Sequence, residues 1–263
     1  PEDNILFFTT FDQALNASQI WSLNLKAEAM DLRIEDENAS IYNLSLTPDQ
    51  SKVLFERTDL GDTENPYLVT NIYQWDLATD TISPMLSNTN LISFHPAFSP
   101  DQNLFTYYNP NANRYEIYAV DGSVQFSISS QIGNVLRWSE VETDYVLYND
   151  VSGEGKDFQL NTFLYDLSTH QTTNLNDETG LDLTHALWVP NEFALFMSGQ
   201  YETDDNGSRI FFYDLNSGTL TELREYQPSL PRDLVASPDG SSILYEQYGI
   251  TDREQYSGIW RID

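Results

Sequence analysis

Ala236-Ser237-Pro238-Asp239-Gly240, followed by the apolar run ILYEQ (243–247), decides the fold because it recurs. Thr47-Pro48-Asp49-Gln50 precedes VLFER (53–57), and Ser99-Pro100-Asp101-Gln102 precedes LFTYY (104–108). Weaker copies are Ser139-Glu140 before YVLYN (145–149) and Val189-Pro190-Asn191 before FALFM (193–197). In chain order the five boxes are separated by 52, 40, 50 and 48 residues. Pro presets φ at the second position of a turn, Asp bonds the backbone two residues on, and Gly or Asn tolerates a left-handed corner. Each box is therefore a turn between two strands.

A second box keeps phase with the first. It is an aromatic strand closed by Asn or Asp: IWSLNL (Asn24), IYQWDLAT (Asp76), IYAVDG (Asp121), FLYDLST (Asp166), FFYDLNSG (Asp214) and IWRID (Asp263). Those closing residues lie 52, 45, 45, 48 and 49 apart. Two boxes in step, at a period near 48, predict a structural repeat. Each period reads as four short strands: one before the Pro-Asp turn, a buried one after it, the aromatic one, and a polar one such as TISPML, QTTNL or TLTEL. No stretch holds a helical period over three turns, and KAEAMDLRIEDE (26–37) falls where a fourth strand belongs, so it reads as loop and strand.

Four-stranded units at this spacing are β-propeller blades, whose faces bury one another and whose closure removes exposed sheet edges. The expectation is an all-β, six-bladed β-propeller with four antiparallel strands per blade, one domain over 1–263. Pro1-Glu2-Asp3-Asn4 looks like a further Pro-Asp box, and Asp263 precedes the place of a fourth strand. The chain is accordingly expected to be a fragment of a longer one.

The 263 residues hold 41 Asp and Glu against 12 Lys and Arg, a net charge of −29. That balance excludes a general nucleic-acid binder, which needs a basic footprint on phosphate, and argues against docking on anionic membranes. No apolar run reaches the ~18 residues of a membrane span, so membrane insertion is not expected. With no Cys there is no disulfide, thiolate metal site or Cys nucleophile.

The combination of Phe98-Ser99-Pro100-Asp101, Ala236-Ser237-Pro238-Asp239-Gly240, Asp166-Leu167-Ser168-Thr169 and Asp214-Leu215-Asn216-Ser217-Gly218 resembles the TolB-type, WD-like β-propeller repeat. The resemblance covers essentially the whole chain and points to the repeat class. It implies an extracytoplasmic bacterial setting (periplasmic, secreted or cell-surface). It also implies service as a protein-interaction platform or as the substrate-gating propeller of a peptidase.

A residue needed once for chemistry is not repeated in every blade, so the box Asp and Asn residues read as turn formers. Asymmetry between blades is more informative. Four residues before Thr47, Ser99, Ser139, Val189 and Ser237 stand Asn43, His95, Val135, His185 and Asp233. They fall on the innermost strands, at or beside a central channel. Imidazole with carboxylate suits Zn or Mn, so a channel metal or anion site is one reading. The other is a packing role, and a separation of two blades between His95 and His185 is long for coordination at ~2 Å.

The links between second and third strands are long and acidic: 58–71, 149–161, 199–209 and 248–258. They are expected on one face, with Tyr67, Tyr201, Tyr248 and Tyr256 among the acids, as a surface for a basic protein or peptide. A solvated acidic rim is the plainer alternative. Asp204-Asp205-Asn206-Gly207 resembles part of a calcium loop but lacks the alternating ligands and distant Glu of an EF-hand. No cofactor is expected beyond such a divalent cation.

There is no Gly-x-Ser-x-Gly, His-Glu-x-x-His or P-loop. The leading expectation is a non-catalytic binding scaffold, monomeric as a domain. The alternatives are a metal-dependent propeller enzyme around His95, His185 and Asp233, or a gating propeller of a larger hydrolase.

Overall fold

The computed structural model describes residues 5–47, 49–59, 69–85, 94–119, 124–133, 136–152, 159–203, 208–227, 229–249 and 258–263. The chain divides into two compact units, residues 1–133 and 134–263.

The first unit holds three antiparallel sheets. One is β1(Ile5–Asp12), β2(Ala17–Asn24) and β3(Ala29–Asp36). The next is β4(Ala39–Leu46), β5(Lys52–Asp59), β6(Val69–Asp76) and β7(Thr81–Pro84). The third is β8(Phe94–Phe98), β9(Leu104–Asn109), β10(Arg114–Ala119) and β11(Val124–Ser129). The second unit holds three more. They are β12(Arg137–Trp138) to β15(Gln171–Asn174) with β13(Tyr145–Ser152) and β14(Gln159–Asp166) between; β16(Asp182–Trp188), β17(Ala194–Gln200), β18(Ser208–Asp214) and β19(Thr219–Gln227); and β20(Ser229–Ala236), β21(Ile243–Gly249) and β22(Gly258–Ile262).

Every sheet is a meander in sequence order, and the aromatic boxes fall on β2, β6, β10, β14, β18 and β22, as the repeat predicts. The middle four sheets have the four antiparallel strands expected of a repeat unit. Among the described residues the first and last sheets have three strands each. In the first sheet β1 follows Pro1-Glu2-Asp3-Asn4 and so takes the second place of the repeat.

The three full Pro-Asp boxes share one hydrogen-bond pattern. Thr47, Ser99 and Ser237 each donate a hydroxyl to the Asp two residues on, at 2.6 Å in all three. The same oxygen accepts the backbone N–H of Lys52, Leu104 or Ser242 at 2.9–3.0 Å. Asp49, Asp101 and Asp239 then accept from the N–H of Ser51, Asn103 and Ser241. The corner residues Gln50, Gln102 and Gly240 are left-handed, at φ 57, 61 and 71. Gln therefore fills a place where Gly or Asn is the usual choice.

Four of the aromatic boxes end in Asx turns. Asp76 Oδ1 accepts from Ala78 and Thr79 N–H, and Asp166 and Asp214 repeat the pattern two and three residues on. Asn24 does the same with Lys26 and Ala27. These contacts give Asn24, Asp76, Asp166 and Asp214 a turn role, while Asp121 lies outside the described residues.

The cores lie between sheets. In the first unit Ile20, Ile41, Val53, Phe55 and Trp75 pack together, and Leu54, Ile72, Phe105 and Tyr107 form a second cluster. Val53 and Phe55 use one face of β5 and Leu54 the other, so a sheet covered on both sides reads as an unbroken apolar run. In the second unit Leu147, Leu164, Leu195, Met197 and Phe211 build one cluster; Ala194, Phe196, Ile210, Ile243 and Tyr245 build the other. Burying each large side chain contributes about 1.5–3 kcal/mol.

One helical turn departs from the all-strand expectation. α1(Leu175–Thr179) joins β15 to β16, capped by the Asn174 side chain, which accepts from Asn176 N–H, and closed by left-handed Gly180. It buries Leu175 completely. Five residues cannot show a three-turn period, but the Asn and Gly caps are visible in the sequence.

Candidate functional site

The first strand of the repeat carries a β-bulge near its middle, and the bulge governs the candidate channel positions. In β4 the register shifts between Tyr42 and Ser45, and Asn43 is left-handed at φ 54. In β20 it shifts between Arg232 and Val235, with Asp233 at φ 49. Asn and Asp are the side chains that enter this region most readily after Gly, so the backbone gives both positions a role of their own. Asn43 is exposed, yet its Nδ2 donates to Oε1 of Glu56 at 2.9 Å, and Glu56 is fully buried. Asp233 is exposed.

His185 follows the corresponding shift in β16, between Leu183 and His185, and is half-buried. His95 lies on β8, but its side chain falls outside the described residues, as does all of Val135. The structure thus places His185 and Asp233 on the first strands of consecutive sheets in one unit, and Asn43 at a matching bulge in the other. Among the described residues no group of three or more His, Asp or Glu stands ready to hold a metal ion.

The acidic links begin and end on described strands. Tyr67 and Tyr256 lie outside the described residues, as do Asp204 and Asp205 and the side chain of Tyr248. Tyr201 is half-buried and stands edge-on to Phe211, with ring centres 5.9 Å apart. The Arg209 guanidinium lies 5.5 Å above its ring and bonds Glu222 at 2.8 Å. Arg57 plays a similar part at the start of link 58–71: it bonds Asp36 at 2.8 Å, pairs with Asp59 and sits over Tyr73. Burial works against its charge, but the Asp36 and Asp59 carboxylates outweigh it and raise the Arg57 pKa. Arg57 thus offsets Asp59 at the start of link 58–71, while Arg209, at the end of link 199–209, is paired with Glu222 outside it.

These intrachain pairs were not legible beforehand. An Arg two residues before an Asp, as in Glu56-Arg57-Thr58-Asp59, places both on one strand face, and that spacing is the signal. A groove of about 510 Å³ in the first unit was also not foreseen. Ile5, Phe7, Leu32, Leu46 and Trp75 give it an apolar lining, with Arg33 and Asp80 at its border. Asp80 accepts from Trp75 Nε1 at 2.9 Å, and Arg33 donates to Ser22 and pairs with Asp31. Sheet pairing, not a motif, assembles this groove from distant segments.

No family model and no curated protein sequence matches the chain. Solved structures do. TolB from Acinetobacter baumannii superposes with a TM-score of 0.61 at 18% identity, over 94% of this chain and 59% of its own. An acylaminoacyl peptidase from Pyrococcus horikoshii gives 0.65 at 12% identity, over 100% and 42%. A putative dipeptidyl aminopeptidase IV from Bacteroides ovatus gives 0.62 at 9% identity, over 94% and 44%.

The sheets are those of a TolB-like β-propeller. At these identities the likeness is one of fold. The chain spans 42–59% of the length of these three proteins. Among the described residues, no helix is long and apolar enough to cross a membrane.

Proposed function

We propose that this chain is a non-catalytic scaffold that binds a basic protein or peptide through its acidic, Tyr-bearing links, in an extracytoplasmic setting. The observation that carries the reading is charge. The links 58–71, 149–161, 199–209 and 248–258 hold eleven Asp and Glu against Lys156, Arg209 and Arg253. Arg209 already pairs with Glu222. A surface of this sign steers a Lys/Arg-rich partner toward it and repels acidic ones. The likeness to TolB agrees with a role in protein interaction.

The test is a titration with a Lys/Arg-rich peptide at low and raised salt. Binding should weaken steeply as salt rises, and Glu202→Lys with Asp204→Lys and Asp205→Lys should reduce affinity at least tenfold. Binding that ignores both salt and charge reversal would exclude the acidic links as the docking surface.

A second reading draws on the two peptidases: a substrate-gating propeller within a larger hydrolase. In that case the nucleophile lies on a part other than this propeller, since the sequence carries no Gly-x-Ser-x-Gly. Peptide hydrolysis by the isolated chain, lost on His185→Ala or Asp233→Ala, would instead support a metal-dependent enzyme.

A further inference from the structure

The groove in the first unit is an opened form of a crevice that the repeat makes between neighbouring sheets. The last two sheets show the filled form. There Phe196 on β17 faces Phe212 on β18, their rings stand edge-on at 5.9 Å, and with Leu223 they leave about 150 Å³. In the first unit the matching pair is Phe7 on β1 and Ser22 on β2, since Ser22 precedes Asn24 by two residues as Phe212 precedes Asp214. A hydroxymethyl stands in the place of a phenyl ring, and the space grows to about 510 Å³. That volume is within the range of small-molecule sites.

The lining is apolar and wet. Ile5, Leu32 and Leu46 are 37–43% exposed along its walls. Phe7 and Trp75 also line it, edge-on to each other at 5.7 Å, with Trp75 buried in the core. An apolar body lying here would remove those walls from water, which is the driving force for binding.

Charge selects the rest of the ligand. Two charged residues border the groove, Arg33 and Asp80. Arg33 is already matched: its Nε donates to Ser22 Oγ at 2.8 Å and its Nη2 pairs with Asp31 at 3.3 Å. Asp80 Oδ1 accepts from Trp75 Nε1 at 2.9 Å, and among the described residues no Lys or Arg pairs with this carboxylate. The charge at the border that still wants a counter-ion is therefore negative, in a chain of net charge −29 that favours cations everywhere.

We propose that this groove binds a small amphiphilic amine, its apolar body against Phe7, Leu46 and Trp75 and its ammonium on Asp80. The site is separate from the acidic links. Gln50 and Asp80 stand in the turns β4–β5 and β6–β7, whereas link 58–71 joins β5 to β6 at the other end of the same sheet, where Asp59 pairs with Val69.

The experiment is calorimetric titration of the whole chain with octylamine, octanol and octanoate. Octylamine should bind saturably and at least fivefold tighter than octanoate, with octanol between them. Octylamine should bind tighter than hexylamine on the order of tenfold, as two more methylenes are buried. Asp80→Asn keeps the acceptor for Trp75 and tolerates the left-handed backbone at φ 56, so it removes the charge alone. It should lower octylamine affinity about three- to fivefold and leave octanol unchanged. Leu46→Trp should fill the groove and abolish binding of all three. If that variant does not fold, Leu32→Ser at an exposed wall position should weaken octylamine and octanol alike. Octanoate binding as tightly as octylamine, or octylamine binding undiminished in both wall variants, would overturn the proposal. A Lys/Arg-rich peptide should leave the octylamine titration unchanged; displacement by that peptide would give the groove to the peptide and also overturn it.

Discussion

The Ser99 hydroxyl donates to Asp101 Oδ1 at 2.6 Å and accepts from Leu104 N–H at 3.0 Å, so one oxygen fastens both ends of its turn. Thr47 and Ser237 make the same two contacts. The hydroxyl, as much as the Pro-Asp pair, defines the box.

Ser99→Ala should therefore destabilise the protein by about 1–3 kcal/mol, because Ser99 is buried and the Leu104 N–H loses its side-chain acceptor. Ser99→Thr should keep most of the stability, since Thr47 does the same work. Ser237→Ala should cost less than Ser99→Ala, as Ser237 is only half-buried and water can replace its hydroxyl. Urea midpoints at constant m-value measure all three.

Acid should unpick these turns. Hydrogen bonds from Ser237 and Ser241 hold Asp239 at about 2. At Asp166 burial pushes upward, but hydrogen bonds from Ser168 and Thr169 outweigh it and the carboxyl also falls to about 2. Depressed folded-state values mean that this stabilisation is complete above the ordinary value near 3.8 and drains away as pH falls toward 2. Stability should drop across that window. Asp166→Asn, which keeps an acceptor but has no titrating proton, should flatten the slope when urea midpoints are followed from pH 4 to 2.

Asn43 and Asp233 offer a sharper test of what the candidate ring positions are for. Both are left-handed, at φ 54 and 49. At Asp233 the backbone alone is at work, so Asp233→Gly should change stability by no more than a few tenths of a kcal/mol, whereas Asn43→Gly also takes a hydrogen bond from buried Glu56 and should cost about 1–3 kcal/mol; →Val should cost about 1–2 kcal/mol at Asp233 and more at Asn43. The scaffold reading adds that peptide affinity stays unchanged in both Gly variants. Calorimetric melts and the peptide titration separate the two effects.

The strand map was legible because two boxes kept phase: every aromatic run and every Pro-Asp turn on described residues sits at the predicted place. A repeat advertises itself through turn chemistry, and Asp76, Asp166 and Asp214 show why, since each closes its turn through its own side chain. What breaks the repeat was less visible. The α1 turn depends on two caps, and the bulges at Asn43 and Asp233 leave no mark beyond residues that tolerate φ above zero. Arg224 on β19 donates to Gln247 on β21 from beside a bulge at Leu223, and a bulge shifts which side chain faces which. Spacing counted along the sequence cannot see that shift.

Gly133 gives the last prediction. It ends the first unit in a left-handed conformation, at φ 56, with its N–H directed to Ser130 Oγ at 3.3 Å. A Cβ built there would stand 2.2 Å from the Tyr108 ring. That ring is 6% exposed, stands edge-on to Tyr115 at 5.4 Å, and bonds the Ser130 carbonyl through its hydroxyl at 3.1 Å. It has little room to retreat. Gly133→Ala should combine a backbone cost of about 1–2 kcal/mol with an overpacking cost of about 1–3 kcal/mol, one of the larger single-residue losses in the chain. Tyr108→Phe alone should cost less, because it removes only the hydroxyl bond. Gly133→Ala in a Tyr108→Leu background should recover part of the loss if the ring is the obstacle. Thermal melts of the single and double variants decide it, and full additivity would show that the backbone, not the ring, sets the requirement for glycine.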